Sequence, residues 1–281
     1  MQTDYVQRFL FEDLDIRGRL VCLTQAWQGM LKGRRYPDLI LSLLGHTTAL
    51  NVLLGANQKG AGRVSIQVQG SGPVKLLVSD CTAELRIRGM AKFEKELAAI
   101  SGERTLLGNG RLSVTLEDMT SGQLYQSLVP LEGETLEAIF EHYLSQSEQL
   151  PSFLRLYADK GAVCGLLLEK LPGADSRDPD GWDRVRHLAA TLTLDETRDA
   201  QPYHLLTRVF PEELMRVFKL YAVEYHCPYD EQKVKDMLRG LGREEVEAIL
   251  AEKGEVLIRN EICNHEYRFD ARAIREIFLD S

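Results

Sequence analysis

The chain has 281 residues, of which 44% are hydrophobic and 27% are charged, and its formal net charge at pH 7 is -8. Such a chain can bury a substantial core, which excludes an intrinsically disordered protein and fits one large domain or two smaller ones. The acidic balance and the absence of a Lys/Arg stripe argue against binding to nucleic acid or to an anionic membrane.

The cysteines indicate a reducing compartment. They are five in number and lie far apart, at positions 22, 81, 164, 227 and 263, which is not the framework of a secreted disulfide-rich protein. The N-terminus lacks the pattern of a signal peptide, and no run approaches the roughly 18 apolar residues of a membrane span. We therefore expect a soluble, cytoplasmic protein.

The N-terminal part predicts strands around one long helix. Residues 4–26 indicate a strand or short helix followed by a polar turn at Arg17-Gly18. An apolar stripe from Leu39 to Leu54 has helical spacing and ends in a glycine-rich stretch, 55–62. His46 lies in this helix, where we interpret it as a packed or surface histidine and not as a ligand.

Residues 63–129 change to a period of two. Alternation in 64–68 and 74–78 predicts a hairpin, Leu85 and Ile87 a further strand, and 112–116 and 124–129 two more, so the region is typical of an antiparallel meander. The spacing of 136–144 then predicts a helix that packs across the sheet and ends before Pro151. A last hairpin is predicted from 153–157 and 163–168.

The run 171–181 is rich in Pro, Gly and Asp and marks the end of an N-terminal domain, 1–173. The next segment, 174–224, is predicted to be a helical linker, with one helix beginning at Pro211 and including Leu214, Val217 and Phe218. Because these helices are short and charged, they cannot form a core alone. They must pack on another surface, and they could leave it.

The C-terminal domain, 225–281, is predicted to contain helices at 234–241 and 244–250, a hairpin from 255–259 and 266–269, and a terminal helix from Ala271. About fifty residues form only a small hydrophobic core, which gives little stability unless a crosslink or a metal ion adds to it. Two turns here, 225–230 and 260–265, have the local shape of a metal knuckle, but each holds only one cysteine. A degraded metal site, a disulfide and two buried thiols all remain open at this point.

Several motifs resemble the heat-shock protein 33 family, the redox-regulated 33 kDa chaperonins of bacteria. These motifs occur in the family's order along nearly the whole chain. They are Gly108-Asn109-Gly110, Tyr125-Gln126 with 131–136, 147–151, 188–194, Gly254-Glu255 and Tyr267-Arg268-Phe269. The resemblance implies an α+β fold: an N-terminal domain of antiparallel sheet crossed by helices, a helical linker, and a small C-terminal domain of the redox and zinc-binding type.

The resemblance also implies a function. Members of the family are ATP-independent holdases of the stress response, which keep unfolding client proteins from aggregating. In the reduced state their zinc-bound C-terminal domain keeps the linker folded on the sheet. Oxidation ejects the zinc and unfolds the C-terminal domain and linker, so that apolar surface becomes available to clients.

The chain departs from the family at the zinc site, which is Cys-x-Cys followed by Cys-x-x-Cys. Cys227 stands at the first position and Cys263 at the fourth, but Tyr229 and Asn260 occupy the second and third. A structural zinc needs four N or S donors, so we name no cofactor, and zinc would require His226 or His265 as replacement ligands. If the family fold is kept, Cys227 and Cys263 face each other and could form a disulfide, which would stabilise this domain upon oxidation, the reverse of the family's switch.

We therefore expect a holdase with a lost or altered zinc and redox switch, and not an enzyme. The alternatives are an adaptor dedicated to one partner on the same fold, or a thiol enzyme that pairs Cys227 or Cys263 with a histidine. The expected partners are unfolding clients and, carried over from the family, a second copy in a homodimer. Cys22, Cys81 and Cys164 are expected to be buried structural thiols. The predicted client-binding surface consists of Trp182, Val185, Leu205, Leu206, Phe210, Leu214 and Phe218.

Overall fold

A computed structural model describes residues 4–56, 62–94, 97, 102–118 and 120–279. The chain divides into two compact units, Met1–His226 and Cys227–Ser281. The predicted linker segment lies within the first unit, because its helices and its strand pack on the N-terminal sheet.

The first unit contains eleven strands and eight helices among its described residues. In chain order they are β1 (Tyr5–Phe11), β2 (Ile16–Leu23), α1 (Gln25–Leu31), α2 (Asp38–Gly55), β3 (Gly62–Gln69), β4 (Val74–Thr82), β5 (Arg86–Phe93), α3 (Glu103–Leu107), β6 (Arg111–Asp118), β7 (Leu124–Val129), α4 (Leu136–Ser147), β8 (Ser152–Ala158), β9 (Val163–Lys170), α5 (Ala174–Arg177), α6 (Gly181–Ala189), α7 (Leu194–Asp199), α8 (Pro202–Val209), β10 (Met215–Ala222) and β11 (Glu224–Tyr225).

The strands form two sheets. The first has the order β10-β1-β2-β9-β8 and is antiparallel throughout. The second has the order β11-β5-β4-β3-β6-β7, in which only the short β11 runs parallel to its neighbour. The predicted α+β class is confirmed.

Helix α2 lies between the two sheets. The main apolar cluster is built from α2, from one face of the first sheet and from the inner residues of β3, β4 and β6, and all three layers contribute side chains that are fully buried. The central strand β9 is buried along nearly its whole length, so its two faces need two separate covers. Helix α2 is the cover of one face.

The cover of the other face comes from residues 174–222, which we call the cover segment. Its helices α5 to α8 place Val185, Leu205, Leu206 and Phe210 in a second apolar cluster with Phe9, Phe11, Leu20 and Leu166 of the sheet. Its strand β10 pairs with β1 at the sheet edge. Gln7 secures a shift in that register by donating from Nε2 to the Phe218 carbonyl at 2.6 Å.

The structure corrects the prediction of a helix from Pro211 through Phe218. Leu214 precedes a strand, and Val217 and Phe218 lie within β10. Apolar residues at these positions fit either period, and the free edge of β1 decides the outcome because the strand's backbone groups find partners there. The linker is therefore helical only as far as Val209.

Three further predictions were wrong in detail. The first polar turn lies at 12–15, where Asp15 has a φ of 48°, and Arg17-Gly18 belong to β2. Leu85 stands in a turn before β5, with a φ of 59°. The meander is broken, because β6 returns across the sheet to pair with β3 instead of β5. The glycine-rich stretch predicted after α2 lies mostly outside the described residues.

Helix α2 also has the length and mean hydropathy of a membrane span, contrary to our expectation that no run would approach one. Its 18 residues are largely buried inside the first unit, where Ile40, Leu44, Leu50 and Leu53 have no exposed surface. A core helix between two sheets accounts for this composition.

The second unit contains α9 (Glu231–Leu241), α10 (Arg243–Lys253), the hairpin of β12 (Val256–Asn260) and β13 (His265–Phe269), and α11 (Ala271–Leu279). These elements match the predicted ones. Their shared core is small, with Leu238, Val246, Tyr267 and Phe269 among its buried members.

The packing of Gly18 against Phe9 yields a prediction. The two residues are register partners on β2 and β1, and a Cβ at Gly18 would overlap the Phe9 ring, which itself packs against Phe210. Gly18→Ala should therefore destabilise the first unit by about 1 to 3 kcal/mol. Urea unfolding followed by the fluorescence of Trp27 and Trp182, both in this unit, measures the loss.

The matched control is Gly18→Ala combined with Phe9→Leu. The smaller side chain gives room for the new methyl group, so the double variant should lose less than the sum of the two single losses. Additive losses would show that the Gly18 contact with Phe9 is not what excludes a side chain there.

Candidate functional site: a cysteine pair and a covered apolar face

The two cysteines of the second unit are joined. Cys227, just before α9, and Cys263, in the turn between β12 and β13, form a disulfide across 36 residues with their Cα atoms 5.6 Å apart. This separation is within the usual range for a disulfide. Of the alternatives that the sequence left open, the structure has the disulfide.

Asn260 holds the second turn without a metal. It stands at the third zinc position of the family, and its Oδ1 accepts hydrogen bonds from the backbone N–H groups of Ile262 and Cys263, both at 3.1 Å. Such a side-chain acceptor forms a local turn that positions the following residue. Asn264 completes the turn with a φ of 59°, a conformation that Asn tolerates well.

Tyr229 secures the first turn in a different way. It stands at the second zinc position, and its ring stacks on Tyr267 with 4.4 Å between centroids. The Tyr267 hydroxyl accepts a hydrogen bond from the backbone N–H of Asp230 at 3.1 Å, and Asp230 caps α9 by accepting from Lys233. These contacts connect the first turn to the hairpin, while Asn260 holds the second turn from within.

The residues of this site do not fit a structural zinc. His265 contacts the Tyr229 ring at 5.7 Å between centroids, and its buried Nδ1 has no hydrogen-bond partner among the described residues. Within the described part of the second unit, no group of three His, Cys, Asp or Glu donor atoms converges around the sulfurs. His226 belongs to the first unit, where its backbone N–H donates to the Ile87 carbonyl at 3.0 Å.

Elsewhere, donor atoms of His46, Glu103 and Glu137 lie close together. His46 Nδ1 is 2.7 Å from one Glu103 oxygen, while the other accepts a hydrogen bond from the backbone N–H of Leu136 at the start of α4. Glu137 accepts from the N–H of Leu156 at 3.3 Å. These bonds connect α2, α3, α4 and β8.

Most of the predicted client-contacting side chains are hidden. Val185, Leu205, Leu206 and Phe210 are buried against the first sheet, and Trp182 is partly buried at the border of the same cluster. Leu214 and Phe218, at the end of the cover segment, are 59% and 41% exposed. In this state the cover segment therefore conceals most of the predicted client-binding side chains.

A few polar contacts fasten the cover segment. Arg184 of α6 binds Glu213 at 2.7 Å and Asp178 at 2.9 Å, and its guanidinium keeps the pKa of Asp178 below the ordinary value. The Tyr157 hydroxyl donates to the Leu192 carbonyl. Thr193 and Glu196 form a capping box that opens α7.

The comparisons with known proteins decide the family. The family model described as Hsp33 protein matches residues 4–270. The chain belongs to the Hsp33 family. Curated Hsp33 relatives named 33 kDa chaperonin include those of Methylobacillus flagellatus, 38% identical over 98% of this chain and 94% of the relative, and of Shewanella loihica, 36% identical over 100% and 98%.

A solved Hsp33 structure shows the same fold. The crystal structure of the 33 kDa chaperonin from Thermotoga maritima superimposes with a TM-score of 0.82, covers 99% of this chain and 100% of its own, and is 21% identical.

One further cysteine pair was missed by the sequence analysis. Cys22 on β2 and Cys164 on β9, which we expected to be buried structural thiols, are register partners with their sulfurs 2.7 Å apart. The two strands are far apart in the sequence, although they are neighbours in the sheet, so no local sequence pattern indicated the pairing.

The disulfide gives a stability prediction. Reduction of Cys227–Cys263 should destabilise the second unit by roughly 3 to 4 kcal/mol, because the closed loop restricts the unfolded chain. Hydrogen exchange of peptides from β12 and β13, with and without reductant, measures this loss. The Cys227→Ser/Cys263→Ser variant should show the fast exchange under both conditions; sensitivity of that variant to reductant would contradict the assignment.

The ligand set gives a metal prediction. Reduced protein incubated with zinc and passed through a desalting column should retain far less than one equivalent, because two thiols do not complete a tetrahedral site. Addition of peroxide should then release no zinc to a colorimetric chelator. Retention of one equivalent that His265→Ala abolishes would show that a Cys/His site forms after all.

Proposed function

We propose that this member of the Hsp33 family is an ATP-independent holdase that binds unfolding proteins through the apolar face under its cover segment. It carries out no chemical reaction on its clients. We place it in the cytoplasm, with unfolded proteins as partners and with a homodimer as an assembly to be tested. The proposal divides the chain by function into the core 1–173, the linker 174–224 and the C-terminal domain 225–281.

The observation that carries the proposal is the covered face of the first sheet. Phe9, Phe11, Leu20 and Leu166 belong to one apolar cluster. The described members of that cluster that lie outside the core 1–173 all belong to the cover segment. A large apolar surface that becomes exposed is a site for other proteins. Removal of the cover would create such a surface.

Several features of the cover segment favour its release from the first sheet. Its helices have between four and nine residues, which is too short for a stable isolated helix in water. Its ion pairs are largely solvent-exposed, and exposed pairs add little stability. Local opening of such a segment requires less free energy than global unfolding.

Oxidation does not have the family's effect here. The Cys227–Cys263 disulfide closes a loop and tightens the second unit, and the site lacks the ligands whose oxidation would eject a metal. We propose that heat, which weakens the packing of the cover segment, releases the client-binding face.

The alternatives receive less support. A thiol enzyme needs a free nucleophile, and both candidate sulfurs are joined in the disulfide. A dedicated adaptor would use the same surface with one partner, and the number of client proteins that bind distinguishes it from a holdase.

Phe210→Ala tests the proposal. Phe210 contacts Phe9 and Phe11 with ring centroids 6.4 and 5.0 Å apart, so its loss should weaken the cover segment by about 3 to 5 kcal/mol. The variant should suppress light scattering of a heat-unfolded client at a lower temperature than the wild type does. The assay is run without nucleotide, with two unrelated clients.

The matched control is Leu50→Ala, which also creates a cavity, but on the α2 side of the sheet. It should not lower the temperature at which suppression begins, as long as the protein remains folded. Equal activation by both variants would point to general unfolding, and suppression by neither variant nor wild type would contradict the holdase function.

The Asp178–Arg184 contact predicts a pH dependence. The pKa of Asp178 is held below its ordinary value of 3.8 in the folded protein, so this contact stabilises the cover segment above that pH and is lost as the pH falls through the lower, folded value. The cover segment should loosen slightly below about pH 4, because an exposed ion pair contributes little stability. The fluorescence of Trp182 reports the change, after subtraction of a Trp182→Phe variant, and Asp178→Asn should reduce the pH dependence.

A further inference from the structure

Cys22 and Cys164 lie directly opposite each other at the centre of the first sheet. They are register partners on β2 and β9, their sulfurs are 2.7 Å apart, and both side chains are buried. A disulfide bond has a length of about 2.05 Å, so the sulfurs need only a small rotation to join. No movement of the two strands along each other is required.

The pair faces the cover segment. Across the sheet, Tyr5 on β1 is the register partner of Cys22, and Tyr157 on β8 is the register partner of Cys164. Both cysteines belong to the apolar cluster that the cover segment completes. The buried Tyr5 hydroxyl has no hydrogen-bond partner among the described residues. The side of the sheet that faces α2 is occupied at this point by Gly165, which packs against Ala49 and Leu53.

The pair is protected while the cover segment is in place. Burial raises the pKa of the Cys164 thiol well above the ordinary value, and the neighbouring Cys22 raises it further. The reactive form of cysteine is the thiolate, so the Cys164 sulfur is unreactive while it is buried. The Tyr157 hydroxyl bound to the Leu192 carbonyl, and Arg198 near Asp159 at 3.8 Å, hold the covering residues over the pair.

We propose that Cys22 and Cys164 are a second redox pair, which is oxidised to a cross-strand disulfide when the cover segment leaves the sheet. A peroxide is the oxidant: one thiolate attacks it to give a sulfenic acid and releases one molecule of water or alcohol. The other thiol displaces water from the sulfenic acid, which forms the S–S bond. In total two thiols lose two electrons and two protons, and the peroxide is reduced.

The bond would connect the two central strands of the sheet while their apolar face is exposed. It closes a loop of 142 residues, far longer than the loop in the second unit. The disulfide would crosslink the client-binding sheet while the cover segment is released. Its formation does not require the Cys227–Cys263 pair. Oxidation at this site therefore follows release and does not cause it.

The test uses the full chain with Cys227→Ser and Cys263→Ser, which leaves Cys22, Cys81 and Cys164. The protein is incubated with hydrogen peroxide, quenched, denatured and labelled with N-ethylmaleimide, and its peptides are analysed by mass spectrometry. We expect linked peptides that contain Cys22 and Cys164, with Cys81 still labelled. Cys81 is the internal control, because burial in the other cluster raises its pKa to about 12.

Two variants separate opening of the cover segment from global unfolding. Phe210→Ala should accelerate formation of the disulfide at least about tenfold, since it weakens only the local closed state. Leu50→Ala, on the opposite face, should leave the rate within about twofold. No linked peptides, linkage to Cys81, or equal acceleration by both variants would overturn the proposal. The holdase assay does not depend on these cysteines, so this proposal and the proposed function can fail separately.

Discussion

The first sheet of this protein is apolar on both faces, and this constraint determines the rest of the structure. Strand β9 is buried along nearly its whole length, so each face needs a cover. Helix α2 is enclosed between two sheets and cannot leave without the loss of the core. The second cover is the segment 174–222, which combines short helices with one edge strand. One side of the sheet is core, and we propose that the other is a surface that can be exposed.

The second unit holds its two turns together through the disulfide and the contacts around it. Cys227 and Cys263 are joined, while Asn260 accepts the backbone hydrogen bonds of its turn and Tyr229 stacks on Tyr267. Each of these contacts holds one of the two turns in place. The small core of this unit needs such a staple, because about fifty residues bury little apolar surface. Oxidation therefore strengthens the unit.

Local periodicity was sufficient to predict much of the fold. Helices α2 and α4, the hairpin of β8 and β9, and the elements of the second unit follow from spacing and from turn residues, because these act within a few positions. Residues 215–218 were mistaken for part of a helix, since their apolar side chains fit both periods and only pairing with the edge of β1 distinguishes the two structures. The return of β6 to β3 and the meeting of Cys22 with Cys164 depend on long-range pairing, which no local pattern contains. The cysteine pair of the second unit was within reach because the family resemblance placed both turns together.

The central claim is that release of the cover segment, and not loss of a metal upon oxidation, makes the apolar face available. The most direct measurement is the suppression of light scattering from a heat-unfolded client, with fully reduced and peroxide-treated protein compared at each temperature. The account predicts that both forms begin to suppress aggregation at the same temperature and to a similar extent. Activity that appears only after peroxide treatment would contradict it and would show that oxidation controls release of the cover segment.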